Sequence, residues 1–142
     1  MNIGAFLYLR ISGNDLDIER ISTVLNEIPC QSFKVGEVRN TKYGTVVYKE
    51  DCWMSEYIMP ENQSFDEAVV QFMQSYLSQR EFINALAEKN DITVWGSVYP
   101  DENQCNIGLS KSTIRFLHSF GVDFDLTMTF LSDFYEGKIN DG

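Results

Sequence analysis

The first 36 residues constrain the fold most, because their hydrophobic pattern changes from a period of two to a helical period. Aliphatic side chains alternate there with side chains that end in polar or aromatic groups: Ala5, Leu7, Leu9 and Ile11 against Phe6, Tyr8, Arg10 and Ser12. The alternation predicts a strand over residues 5–12, with the aliphatic set facing the core. Apolar residues then recur at helical spacing, so an amphipathic helix is predicted that ends before Pro29.

The start of this first helix is rich in short polar and acidic side chains. Asn14 or Asp15 is expected to accept hydrogen bonds from the free amides of the first turn. Asp15, Asp17 and Glu19 lie where the helix dipole favours negative charge. Helix stabilisation explains these carboxylates more simply than a bound cation does.

A strand-rich zone follows from residue 32 to residue 57. Residues 45–48 and 52–58 are rich in β-branched and aromatic side chains. Because only a few residues separate these two runs, they are predicted to pair as a hairpin. The clearest helix comes next, opened by Ser64 and Glu67 at the spacing of a capping box. A shorter helical segment follows it.

The second half of the chain predicts two further strands with a short helix between them. Residues 92–99 alternate as a strand, and residues 106–109 are predicted to return beside it as a hairpin partner. Ser110 or Ser112 is expected to cap the helix, and Gly121 to end it in the left-handed conformation. An alternating last strand completes the pattern.

Together these elements predict a single α+β domain over residues 1–142. About six to eight strands and about four helices, joined by short connections, favour a largely antiparallel sheet with the helices packed mainly on one face. At 142 residues the chain is long enough to bury a sizeable core without disulfides or metals. Residues from about 131 to 142 are predicted to form a polar tail.

Charge narrows the range of partners. Eleven Lys and Arg against twenty-one Asp and Glu give a net charge of −10, and the acidic residues are spread along the chain. Nucleic acids and anionic membranes carry the same sign, so we expect neither as a partner. The charge favours a fast encounter with a basic protein, provided that acidic side chains converge on one face. A solvated acidic surface without a partner is the simpler explanation.

Nothing in the sequence has the pattern of a targeting or membrane segment. Residues 1–6 lack a basic region before an apolar run, and no stretch approaches the roughly 18 apolar residues of a membrane helix. The three cysteines, Cys30, Cys52 and Cys105, show no CxxC spacing and are predicted to be core or half-buried residues. A reducing cytoplasm is the expected compartment.

The residue inventory offers little for catalysis. The only histidine, His118, lies on the predicted short helix and is expected to be an ordinary helix-face residue. One His and three scattered Cys give no zinc-ligand spacing, and no glycine pattern for nucleotide phosphates is present. We therefore predict no catalytic residue, no metal site and no cofactor, and we favour a non-enzymatic role.

Two acidic residues in the last alternating stretch, residues 122–130, are candidates for partner contact. Asp123 and Asp125 share one face of the predicted strand, which Thr127 and Thr129 continue. Paired carboxylates can bind a cation or raise one another's pKa. A solvent-facing strand produces the same alternation and is the simpler explanation.

A second candidate site lies near residues 32–36. These residues could hold a small anion through backbone amides, Lys34 and Arg10, although a tight turn entering a strand explains them without a ligand. Five aromatic residues cannot all be assigned to one core face by parity: Phe6, Tyr8, Trp53, Trp95 and Tyr99. Either some of them line a groove or contact patch, or helices bury them, which is the simpler case.

Several of these positions together resemble a known family. They are Leu9-Arg10-Ile11-Ser12-Gly13, Asp15-Leu16-Asp17 with the apolar stripe through Leu25, Pro29, Ser32, Lys34, Gly36-Glu37, Trp53 and Gly121-Val122. The pattern covers almost the whole chain and is similar to the bacterial domain of unknown function DUF4279, except at Cys30 and Gln31. The resemblance implies a small bacterial cytoplasmic protein with an α+β fold. It suggests, by analogy with small acidic toxin-neutralising proteins, an immunity role.

From these observations we predict a non-enzymatic protein-interaction module, of immunity or inhibitor type, that binds a basic partner. Asp123 and Asp125 are the expected contact residues. The alternative is a small-molecule-binding protein, or an unassigned enzyme, with a pocket near Arg10, Lys34 and Trp53.

Overall fold

The chain forms seven strands and four α-helices in a computed structural model that describes residues 3–100 and 107–129. In chain order the elements are β1 (Ile3–Gly13), α1 (Ile18–Leu25), β2 (Gln31–Phe33), β3 (Val38–Thr41), β4 (Gly44–Val47), β5 (Asp51–Ile58), α2 (Phe65–Gln74), α3 (Arg80–Ala87), β6 (Asp91–Pro100), α4 (Lys111–Phe120) and β7 (Asp123–Met128). A 3-10 turn, Leu77–Gln79, joins α2 to α3. None of the helices in these two ranges is long and apolar enough to cross a membrane.

Five of the strands form one sheet in the order β2-β5-β1-β6-β7. β1 lies at its centre and pairs antiparallel with β5 and β6, and β2 pairs antiparallel with β5. β7 pairs parallel with β6, and α4 supplies the crossover that a parallel pair requires. β3 and β4 form a separate two-stranded ribbon. The predicted fold class, a single α+β domain with a largely antiparallel sheet and about four helices, is confirmed.

The helices cover one face of the sheet. Leu7, Leu9 and Ile11 of β1 are fully buried on that face, as their alternation predicts. Apolar side chains from α1 to α4 complete this core, among them Ile21, Val69, Met73, Ile83 and Leu117. The opposite face carries no helix from the described ranges, and we call it the open face.

Side-chain caps set the ends of two helices as predicted. Ser64 accepts a hydrogen bond from the Glu67 amide at the start of α2. Ser110 accepts one from the Thr113 amide at the start of α4. Gly121 has a φ of 73° and ends α4 in the left-handed conformation, which costs glycine little because it lacks a Cβ.

The cap of α1 differs from the prediction. Asp17, rather than Asn14 or Asp15, accepts the hydrogen bond from an amide of the first helical turn. Asp15 has a positive φ of 58°, and the amide of Leu16 donates to Asp51 instead. The chain is held in a turn at these positions, so the helix begins later than its acidic residues suggest.

The predicted hairpin between residues 45–48 and 52–58 is wrong. β4 pairs with β3 across a tight turn in which Gly44 has a φ of 130°. β5 lies between β1 and β2 inside the main sheet, and its first five residues are buried. The first half of β5 is buried on both faces, which requires neighbours that a local hairpin cannot supply, and this explains the difference.

The predicted partner strand at residues 106–109 is also wrong where it is described. Residues 107–109 form no strand, and β7 occupies the position beside β6. Residue 106 lies outside the described residues, as do Cys105, Phe130 and the predicted polar tail from about residue 131.

A buried hydroxyl network joins the end of α2 to the sheet. Tyr76 is 1% exposed, and its hydroxyl donates to Glu27 Oε1 at 2.6 Å and lies 2.6 Å from Ser55 Oγ. Burial, followed by the hydrogen bond to Glu27, raises the pKa of Tyr76 above its ordinary value.

We predict that Tyr76→Phe lowers the free energy of unfolding by about 1–2 kcal/mol, because the buried Ser55 hydroxyl loses its partner. Urea denaturation measures the change. Tyr43→Phe is the matched control, since that side chain is 88% exposed, and it should unfold like the wild type. Equal stability of the two variants would contradict the prediction.

Candidate functional site

The strand register places one set of side chains from each sheet strand on the open face. Across the sheet they are Gln31 and Phe33 of β2; Cys52, Met54, Glu56 and Ile58 of β5; Phe6, Tyr8, Arg10 and Ser12 of β1; Asp91, Thr93, Trp95, Ser97 and Tyr99 of β6; and Asp123, Asp125 and Thr127 of β7. Among the described residues, these side chains contact one another and, at Phe33, the Tyr48 ring at the base of the β3–β4 ribbon. The open face is therefore the candidate site.

Arg10 occupies the middle of the open face. It pairs with Met54 of β5 on one side and with Thr93 of β6 on the other. Its side chain is exposed, and no carboxylate of the described residues lies within ion-pairing distance of it. An exposed guanidinium is well suited to bind a carboxylate through two parallel hydrogen bonds.

The thiols near this site show no sign of nucleophilic activation. Cys52 is 5% exposed; burial raises the pKa of its thiol, and the neighbouring Arg10 acts in the opposite direction. A protonated thiol is a weak nucleophile. Cys30 is exposed, which differs from the prediction that the cysteines are core or half-buried.

Two aromatic side chains lie beside Arg10 on adjacent strands. The rings of Tyr8 and Trp95 are half-buried and 5.1 Å apart between centroids, and the Trp95 indole donates to Thr127 Oγ1 at 3.0 Å. Burial, together with the charge of Glu56, raises the pKa of Tyr8 to about 12. Tyr8 is therefore a neutral hydrogen-bonding group at physiological pH.

Four exposed carboxylates surround this centre. Glu56 lies on β5, Asp91 at the start of β6, and Asp123 and Asp125 on β7. The predicted shared face of Asp123 and Asp125 is confirmed by their pairing with Thr93 and Trp95, which point to the same side. This group of four is called the acidic rim below.

A cleft of about 350 Å³ lies where the open face meets the base of the β3–β4 ribbon. Its main lining residues are Arg10, Phe33, Tyr48, Cys52, Met54 and Trp95, and we call it the ribbon cleft. The Phe33 and Tyr48 rings are stacked 3.9 Å apart with an angle of 6° between their planes. Two smaller depressions adjoin it at Trp95, so the open face is concave around that side chain.

Lys34 does not join Arg10 in an anion site. Its ammonium group lies 3.3 Å from Asp51 Oδ2 and donates to the Leu16 carbonyl at 2.6 Å. Asp51 also accepts hydrogen bonds from the Val35 amide at 2.8 Å and the Leu16 amide at 2.9 Å. The negative charge that this segment holds is the protein's own Asp51 carboxylate, which agrees with the simpler explanation that residues 32–36 form a turn without a ligand.

Trp53 lies on the opposite side of the sheet from Arg10. It is 0% exposed, belongs to the core, and its indole donates to Ser22 Oγ at 3.0 Å. The predicted pocket near Arg10, Lys34 and Trp53 is therefore wrong as a group. Arg10 pairs with Met54, so its neighbour Trp53 necessarily points to the other face.

Sequence reasoning missed the residues that build the ribbon cleft around Arg10. Phe33, Tyr48 and Met54 come from three separate segments, and no local pattern brings them together. Tyr8 and Trp95 do carry a signal, because each occupies the polar side of an alternating strand. Asp51 carries none, since its partners lie 16 to 35 residues away.

Metal chemistry has no visible support in the described ranges. No group of three or more His, Cys, Asp or Glu side chains there is arranged to hold a metal ion. His118 is exposed in the last turn of α4, a position where the helix dipole favours positive charge.

Comparison with known proteins identifies a family and leaves its activity open. A family model described as "Domain of unknown function (DUF4279)" matches residues 3–131. No curated protein and no solved structure matches the chain significantly. Since the match spans nearly the whole sequence, the chain belongs to the DUF4279 family.

Proposed function

We propose that the protein is a non-enzymatic interaction module of the bacterial cytoplasm, of immunity or inhibitor type, that binds a basic protein through its open face. The observation that carries this proposal is the convergence of the acidic rim on one face of the sheet that none of the described helices covers. A net charge of −10 favours a basic partner only if carboxylates gather in this way.

The aromatic centre of the open face supports the same function. Tyr8 and Trp95 lie side by side inside the acidic rim and keep part of their surface accessible. Tyrosine and tryptophan contribute most to affinity when a partner buries them, whereas rim charges mainly set the association rate. The open face combines both kinds of residue.

The size of the open face is also suitable. Five strands at about 4.8 Å spacing, and a length of about 25 Å for the eight residues of β5, give a patch of roughly 500–600 Å². A standard protein interface buries about 800 Å² on each partner. The open face with the adjoining ribbon is of the same order.

Capture of the tagged protein from its native cells at low and moderate salt tests the proposal. We expect one basic protein to be retained and to be released as salt rises, because salt screens exposed charges. The isolated partner is then titrated against the wild type and the double variant Asp123→Lys/Asp125→Lys. We predict at least a tenfold weaker affinity for the variant, mainly through slower association.

The control is Glu61→Lys/Glu81→Lys, which makes the same change in net charge at two exposed positions outside the acidic rim. This variant should bind within about threefold of the wild type. The proposal would be contradicted if both double variants lost the same amount of affinity for the partner, or if salt did not change the affinity of the wild type.

A further inference from the structure

We propose that the ribbon cleft binds a small organic monocarboxylate with a flat apolar body. The carboxylate pairs with Arg10, and the apolar body lies between the stacked Phe33 and Tyr48 rings and Trp95. This site goes beyond the proposed partner surface, because its ligand is small and negatively charged and is recognised by Arg10, Phe33 and Tyr48, and only Trp95 belongs to both sets of contact residues.

The shape and lining of the cleft select an apolar group. Its volume of about 350 Å³ lies in the range of small-molecule sites. Met54 and Cys52, which are 9% and 5% exposed, form its floor, and the rings of Phe33 and Tyr48 line one side. Aromatic and thioether surfaces of this kind favour flat apolar molecules.

The charge of the cleft selects a monoanion. Arg10 and Lys49 line it together with Glu50, so it carries one net positive charge in a chain whose net charge is −10. Arg10 has no carboxylate of the described residues within ion-pairing distance. A ligand carboxylate would supply that missing partner, and the planar guanidinium matches its geometry.

Backbone hydrogen bonds hold the ribbon side of the cleft in place. The Gly36 amide donates to the Tyr48 carbonyl at 2.8 Å, and the Tyr48 amide donates to the Glu37 carbonyl at 3.0 Å, which ties the ribbon to the segment after β2. Asp51 holds that segment in turn through the Val35 amide. A preformed cleft loses little conformational entropy on binding, so a small ligand can be held.

Naphthalene-2-acetate is the probe, and its uncharged amide, naphthalene-2-acetamide, is the matched control ligand. Each is titrated into the ¹⁵N-labelled full chain, and the amide shifts give both the affinity and the location. We expect the acid to shift resonances of Phe33, Tyr48 and Cys52 together with the Trp95 indole. We expect the amide to bind at least tenfold more weakly, because it lacks the charge that Arg10 recognises.

Arg10→Gln should weaken binding of the acid at least tenfold and leave the weak binding of the amide unchanged. Arg10→Lys should recover part of the affinity, because it keeps the charge but loses the paired hydrogen bonds. Arg115→Gln, an equal charge change at an exposed position of α4, is the control and should bind the acid like the wild type.

A free acid and the carboxyl end of a peptide share this chemistry. The tripeptide Gly-Gly-Phe is therefore titrated beside naphthalene-2-acetate. The probe that binds with the lower dissociation constant shows whether the cleft prefers a free acid or the carboxyl end of a peptide. The inference is overturned if neither probe shifts the cleft resonances at millimolar concentration. It is equally overturned if acid and amide bind alike, or if Arg10→Gln binds the acid as the wild type does.

Discussion

Replacing Trp53 with alanine is expected to lower the free energy of unfolding by about 4 kcal/mol, the largest loss that we predict for a single substitution. Trp53 is 0% exposed and is among the largest fully buried side chains. Its removal leaves a cavity between β5 and α1 and leaves the Ser22 hydroxyl without the indole N–H that donates to it at 3.0 Å. Both effects act on the folded state in the same direction.

Chemical denaturation followed by circular dichroism measures this loss. Trp95→Ala is the matched comparison, because Trp95 is half-buried on the open face and should cost less than half as much. The effects on partner affinity should be the reverse of the effects on stability. Trp95→Ala should weaken partner binding, whereas Trp53→Phe should bind the partner almost as tightly as the wild type. A small stability loss for Trp53→Ala would contradict its placement in the core.

Asp51→Ala is expected to lower the free energy of unfolding by about 3 kcal/mol. Asp51 is 2% exposed and accepts hydrogen bonds from the Leu16 and Val35 amides as well as from the Lys34 ammonium group. Its loss leaves the two backbone donors without their acceptor, which costs more than the net value of the bonds themselves, and it removes the countercharge of half-exposed Lys34. Asp51→Asn keeps one acceptor oxygen and should fall between the wild type and the alanine variant.

The contribution of Asp51 should depend on pH with a defined sign. The hydrogen bond from the Val35 amide, supported by Leu16 and Lys34, lowers the pKa of Asp51 despite its burial. A carboxyl whose pKa is lowered by folding contributes its stability above the unfolded value of about 3.9, and the contribution is lost as pH falls through the folded value.

Urea denaturation from pH 7 to pH 2.5 tests this sign. The stability difference between the wild type and Asp51→Asn should be constant from pH 7 to about pH 5 and should shrink at lower pH. Glu61→Gln, at an exposed position, should follow the wild type throughout. A difference that grew on acidification would show that Asp51 is not held as a carboxylate.

Local patterns predicted the parts of the fold that depend on local chemistry. The alternation in β1 assigned Leu7 and Leu9 to the core face, because strand side chains alternate strictly. Ser64 marked the start of α2 because its side chain caps a backbone amide three residues away. Gly121 marked the end of α4 because glycine adopts the left-handed conformation at little cost.

Strand pairing could not be predicted in the same way. The position of Trp53 relative to Arg10 depends on the β1–β5 register, and a shift of one residue would bring the two side chains to the same face. The ribbon cleft likewise needs β2, β5 and the ribbon in their final places, and the Lys34–Asp51 pair joins residues 17 positions apart. These are tertiary contacts without a local signal.

The two tryptophan indoles offer the most direct test that the open face is the binding surface. Trp95 and Trp53 lie on opposite sides of the same sheet, so their indole N–H resonances report separately on each side when unlabelled partner is added to the ¹⁵N-labelled chain. We predict that the Trp95 resonance shifts or broadens while that of Trp53 keeps its position. A partner that binds without changing the Trp95 resonance, and instead shifts amides of exposed helix residues, would contradict it.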